Sequence, residues 1–261
     1  MEDFEKVSYS PVGRCIYCGG TENLGREHII PYALGSIAVL PKASCKRCAK
    51  ITGGFEQEVL RGPMWPVRVI RKLKSRTKHK DAAKTEPLMV VKDGKEQTIE
   101  LPLEEYPILL PFLIFSPPAI TFSSEYTNGI RLIGQATISF GPNPEDVLRK
   151  FGASQIKITP RKSYPVSFAR MLAKITYSYA FAEGAINALE GDSVVLPSIL
   201  GERDEIGLWV GMVDKSIKSS KGLLHRLVLI EDRKQNLLIA EVQLFADSQT
   251  PNYCVILGKL K

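Results

Sequence analysis

Two Cys-x-x-Cys pairs constrain this chain more than any other feature. Cys15-Ile-Tyr-Cys18 and Cys45-Lys-Arg-Cys48 are separated by residues 19–44. Each pair offers two thiolates from one turn, and one tetrahedral ion joins the two turns, so the spacing predicts a structural zinc site. The other readings of such pairs are reduced thiols without a shared role, or a redox-active Cys-x-x-Cys. Two pairs around a single loop favour the metal. Gly19 and Gly20 follow the first pair and permit the tight turn of a knuckle. The fifth cysteine, Cys254, stands in the apolar run Tyr253–Leu257 and reads as a small buried hydrophobe.

Around this module the chain reads as two further segments. Residues 1–64 contain the two cysteine pairs. Ile51, Phe55, Val59 and Leu60 form a helical stripe after the second pair, ended by Gly62-Pro63. Residues 65–86 form a basic segment, with an amphipathic helix first and a linker after. Between residues 68 and 84 lie Arg68, Arg71, Lys72, Lys74, Arg76, Lys78, Lys80 and Lys84 against the single acid Asp81, and the whole chain carries a formal net charge of +7. So localised a basic excess points to a polyanion, nucleic acid first. His79 lies in the same linker, among lysines.

Residues 87–261 read as a larger α+β domain. Lys92-Asp-Gly-Lys95 between two apolar runs predicts a hairpin. The prolines from Pro102 to Pro118 are expected to break any long element, and 130–140 reads as a strand. Pro144–Phe151 opens with proline and acids, as a helix start prefers. Residues 163–189 carry the longest helical pattern, with Phe168, Met171, Leu172, Ile175, Tyr179, Ala182 and Ile186 on one face. Strands are expected at 207–211, 223–230, 237–245 and 253–257, with the long helix packed on their sheet. His225 falls in one of them and reads as structural. No apolar run is long enough to span a bilayer, and the acidic Met1–Lys6 lacks the look of a signal peptide, so a cytoplasmic protein without membrane partners is expected.

Between the cysteine pairs lies Arg26-Glu-His-Ile-Ile-Pro31. With the two pairs and the helix after them, these residues resemble the HNH endonuclease family in its four-cysteine zinc form. The resemblance covers residues 15–60. It implies a ββα-metal finger, and with it an overall α+β chain: a zinc-stapled finger followed by the larger domain. It implies that His28 is the general base that takes a proton from the attacking water, a task suited to an imidazole. Glu27 matches the acid that helps to hold a catalytic divalent ion, Mg2+ or Mn2+. Arg26, Arg47 and Arg61, together with Arg68, Arg71, Lys72, Lys74 and Arg76 of the basic segment, are the candidate contacts to double-stranded DNA.

The chain departs from the family pattern at two positions. Residues 39–43 contain no asparagine, and Ala49 stands where a histidine or asparagine normally follows the second cysteine pair. Glu56, seven residues beyond Ala49 on roughly the same helical face, is the candidate for the missing metal ligand. The expected function is a metal-dependent DNA endonuclease. The alternative is a non-catalytic zinc-finger DNA-binding protein with a degenerate site. Residues 87–261 are expected to recognise, regulate or dimerise; by analogy, a regulated nuclease of this kind suits bacterial antiphage defence.

Overall fold

The computed structural model describes residues 7–35, 37–73, 85–121, 128–158, 161–212 and 222–261. It is mixed helix and sheet, consistent with the α+β class. Chain order begins with β1 (Leu24–His28), β2 (Val39–Cys45), α1 (Lys46–Arg61) and α2 (Trp65–Ile70). β1 and β2 pair antiparallel, and α1 follows directly from β2, so the finger region has a ββα order. β1 ends at His28, three residues before Pro31. A short 3-10 turn, Tyr32–Leu34, lies between β1 and β2.

α1 starts at Lys46 and runs straight through Gly53-Gly54. Two interior glycines cost ~1 kcal/mol each relative to alanine. The helix persists because Cys48, Thr52, Phe55, Val59 and Leu60 are buried. It ends at Gly62, where an added Cβ would lie 2.5 Å from the Glu58 carbonyl oxygen.

Next come β3 (Thr85–Lys92), β4 (Lys95–Pro102), β5 (Leu109–Phe115), β6 (Leu132–Ser139), α3 (Pro144–Phe151) and β7 (Gln155–Lys157). The β3–β4 hairpin turns at Asp93 and Gly94, both with positive φ, as the Asp-Gly pair predicts. β4, β3 and β7 form one sheet, and α3 packs on it through Val147 beside Leu88, Val90 and Leu101. β5 forms despite Pro111, paired among the described residues only with β6. A two-stranded ribbon uses the N–H groups of alternate residues, so one proline is tolerated in it.

The remaining elements are α4 (Pro165–Ala182), α5 (Leu196–Leu200), α6 (Ile206–Trp209), β8 (Val210–Gly211), β9 (His225–Asp232), β10 (Leu237–Leu244) and β11 (Tyr253–Lys259). The last four strands form one sheet in the order β8-β11-β10-β9. Of the strand expected at 207–211 only Val210–Gly211 forms, as β8 against β11, the residues before it belonging to α6; a Cβ on Gly211 would lie 2.3 Å from the Ser116 carbonyl oxygen.

α4 is the expected long helix on the sheet, but it stops at Ala182, and Gly184 takes a left-handed conformation. Its burial is not confined to one face. It lies between α1 on one side and β8–β11 on the other, so Phe168, Met171, Leu172, Lys174, Ile175, Tyr177 and Ala180 are all buried. A single buried cluster therefore runs from Cys15 and Tyr17 through Phe55 and Leu172 to Val242 and Val255. Among the described residues no helix is long and apolar enough to cross a membrane.

Candidate metal centre and acid–histidine site

The first knuckle is built by backbone bonds. The Gly19 N–H donates to the Cys15 carbonyl at 2.8 Å, with Gly19 at a φ of 73°, and the Cys15 N–H donates to the Gly20 carbonyl at 2.7 Å. The Ile16 N–H ties the knuckle to β2 at the Ala43 carbonyl, 2.8 Å away. α4 holds it from the other side: the Tyr177 hydroxyl donates to the Ile16 carbonyl, and the Tyr17 and Ser178 hydroxyls lie 3.2 Å apart. The second pair sits at the junction of β2 and α1, with Cys45 capping the helix.

The four sulfurs of Cys15, Cys18, Cys45 and Cys48 all lie within 4.8 Å of one another, and the Cys18–Cys45 separation is 3.8 Å. A tetrahedral ion with metal–sulfur bonds of ~2.3 Å places its sulfurs about 3.8 Å apart. The cluster can therefore hold a metal such as zinc. Bonding from the Cys48 backbone draws the Cys45 thiol down to about 7, while burial pushes the Cys15 and Cys48 thiols up.

Glu27 and His28 end β1. The β1–β2 register shifts between Gly25 and Glu27, leaving Arg26 without a partner in β2. This bulge breaks the in–out alternation: Gly25 and Arg26 both face solvent, and Glu27 turns inward. Glu27 is 5% exposed. His28 is half-buried, its ring 5.4 Å from that of Tyr32.

The carboxylates of Glu27 and Glu56 converge on one point. The cation between them belongs to the chain. Lys174 Nζ, on α4 and 1% exposed, lies 2.6 Å from Glu27 Oε1 and 3.1 Å from Glu56 Oε1. It also donates to the His28 carbonyl, and the Ile29 carbonyl is 3.5 Å away. Burial alone would push the Lys174 pKa down, but the two carboxylates more than offset it, and the net shift is upward. Burial, with Glu27 beside it, pushes the phenol of Tyr17 up. In this arrangement the acid pair does not fit a divalent ion. A second cation beside a buried ammonium would leave the site with excess positive charge.

Ala49 is exposed on the first turn of α1, and Thr52 is buried, with its hydroxyl donating to the Ala49 carbonyl at 3.4 Å. The Ala49 methyl group offers no ligand atom. Lys174 has no counterpart in the sequence reading. The sequence marks it only as a lone lysine inside the otherwise apolar stretch Met171–Ile175.

The basic residues divide into two groups. Arg26, Arg47, Arg61 and Lys72 are exposed, as are Arg14, Lys42, Lys46 and Lys50 of the finger. Arg68 and Arg71 depart from the DNA-contact role expected of them. Arg68 is buried and donates to the carbonyls of Ala33 at 2.9 Å and Leu60 at 2.8 Å, clamping the 3-10 turn after β1 to the end of α1. Arg71 lies over the rings of Phe140 and Phe245 and pairs with Asp247 at 2.7 Å. Lys74, Arg76 and His79 lie outside the described residues. His225 is structural: its Nε2 faces the Leu34 carbonyl at 2.8 Å, and its Nδ1 accepts from the Phe245 N–H at 3.2 Å. Cys254 is buried, as expected.

Compared with protein-family models, with curated proteins and with solved structures, the chain matches none.

Proposed function

We propose that the protein is an HNH-type endonuclease acting on DNA, with a finger stapled by zinc at Cys15, Cys18, Cys45 and Cys48. One observation carries the reading. Glu27 and Glu56, drawn from opposite ends of a ββα unit, meet at one cationic point beside His28. Each part of the reading has a physical role. Zinc supplies folding free energy that so small a unit lacks. His28, half-buried at the end of β1, takes a proton from water. The exposed Arg26, Arg47, Arg61 and Lys72 bind backbone phosphates, so affinity is steeply salt-dependent and weakly selective for sequence. Residues 87–261 contribute Lys174 and thereby control the acid pair.

The test is cleavage of supercoiled plasmid with Mg2+ or Mn2+ by the parent and by Lys174→Ala, each compared with a partner carrying His28→Ala. Open-circular or linear product that disappears with His28→Ala supports the reading. Equal product with and without His28 contradicts it.

The second reading is a DNA-binding finger with a degenerate site. It is favoured by Ala49, whose methyl group binds no metal, and by the engagement of both carboxylates with Lys174. Binding to DNA without product from either protein selects it.

A further inference from the structure

We propose that Lys174 is an autoinhibitory lock: its ammonium and a divalent ion compete for one position, so the acid pair is open to metal only when this side chain leaves. The inference rests on the nuclease reading for its biological sense, but not for its chemistry.

The argument starts from what surrounds Nζ. The oxygens of Glu27 and Glu56 and the carbonyls of His28 and Ile29 all face it. Carboxylate and backbone carbonyl oxygens are the ligands that hard divalent cations take. With the ammonium in place, two carboxylates face a single positive charge, and the group is one negative charge in excess. A divalent ion in its stead would balance the pair. Both cations together would leave a buried surplus of positive charge, so occupancy is exclusive.

Exclusion also has a direction. Lys174 comes from α4, in the region expected to regulate, and its contacts reach the backbone of His28 itself. α1 and α4 pack together, and Arg170, one turn before Lys174, lies over the ring of Phe55 on α1, 4.8 Å from its centre. Whatever shifts α4 against the finger therefore changes three things together: the charge on the acid pair, its access to metal, and the seating of His28. The lysine is buried deeply enough that it cannot touch a phosphate, so its influence on the reaction is through these groups.

The experiment uses full-length, zinc-loaded protein and Mn2+ as the probe, read by calorimetric titration and by the shift of the thermal midpoint with Mn2+. The parent should show no Mn2+ uptake that depends on Glu56. Lys174→Ala should bind Mn2+ on the order of 100-fold more tightly than the parent. Its midpoint should rise with Mn2+, and Glu56→Gln should abolish both effects. Lys174→Arg, which keeps the charge, should behave as the parent does. If Lys174→Ala folds only on addition of Mn2+, refolding yield against Mn2+ gives the same support. Parent protein that binds Mn2+ and loses it with Glu56→Gln overturns the lock, as does folded Lys174→Ala that takes up none. Uptake by Lys174→Ala without DNA cleavage leaves the lock standing and removes the nuclease reading instead.

Discussion

His225 ties the 3-10 turn after β1 to the C-terminal sheet, and it does so only while its ring is neutral. Nδ1 accepts the Phe245 N–H, so the proton sits on Nε2, which donates to the Leu34 carbonyl. Burial drives the ring's pKa down; the bond to Leu34 and nearby Asp247 push it back up, and Arg71 adds to the lowering. The net value is about 4. The unfolded chain takes up the same proton near the ordinary histidine value of ~6.5. The folded state thus resists protonation that the unfolded state accepts. Stability present above about pH 6.5 is lost as pH falls toward about 4, below which both states are protonated. The gap between the two values corresponds to ~3 kcal/mol. The perturbation is His225→Gln, whose amide keeps a donor for Leu34 and does not titrate. Urea unfolding of both proteins from neutral pH downward gives the assay, because other titrating groups contribute equally to each and cancel in the difference. The advantage of the parent over the variant should shrink by ~3 kcal/mol across this window. An advantage that stays constant with pH would show that His225 titrates normally when folded, and would refute the reasoning.

Three further outcomes are expected. Metal analysis should find a single zinc per chain, and Cys48→Ser, at the most buried of the four thiols, should lower zinc retention and unfold the finger, since on the order of 10 kcal/mol of apparent binding free energy couples to such folds. Arg68→Met should cost ~2 kcal/mol in urea unfolding because two buried carbonyls lose their donor, whereas Arg26→Ala and Arg47→Ala should leave stability unchanged and reduce the salt slope of DNA binding by about one each. Lys174→Met should destabilise by ~3–5 kcal/mol by stranding two carboxylates. The triple variant Lys174→Met, Glu27→Gln, Glu56→Gln should recover most of that loss, measured by the same unfolding curves.

What the sequence disclosed and what it hid follow from the range of the interactions. The cysteine cluster was legible because each pair is local and the ion's geometry dictates the rest. The Asp93-Gly94 turn and α3 from Pro144 to Phe151 were legible for the same reason: their signals lie within a few residues. The convergence of Glu27 and Glu56 could be reasoned from helix periodicity once the finger was supposed. Lys174 could not. It lies far from Glu27 in the chain, on a helix whose pattern suggested one apolar face, and only the packing of α4 between α1 and the sheet buries it. Arg68 was hidden by its neighbours: in a run of basic residues nothing local separates an arginine that clamps two carbonyls from one that faces a phosphate. The bulge at Arg26, which turns Glu27 inward, depends on a register that only pairing with β2 reveals.

The most direct test of the account is plasmid cleavage by zinc-loaded Lys174→Ala in the presence of Mn2+, beside the same protein carrying His28→Ala as well. The account predicts open-circular product from the first and none from the second. Equal product from both, or none from the first with Mn2+ bound, would contradict it.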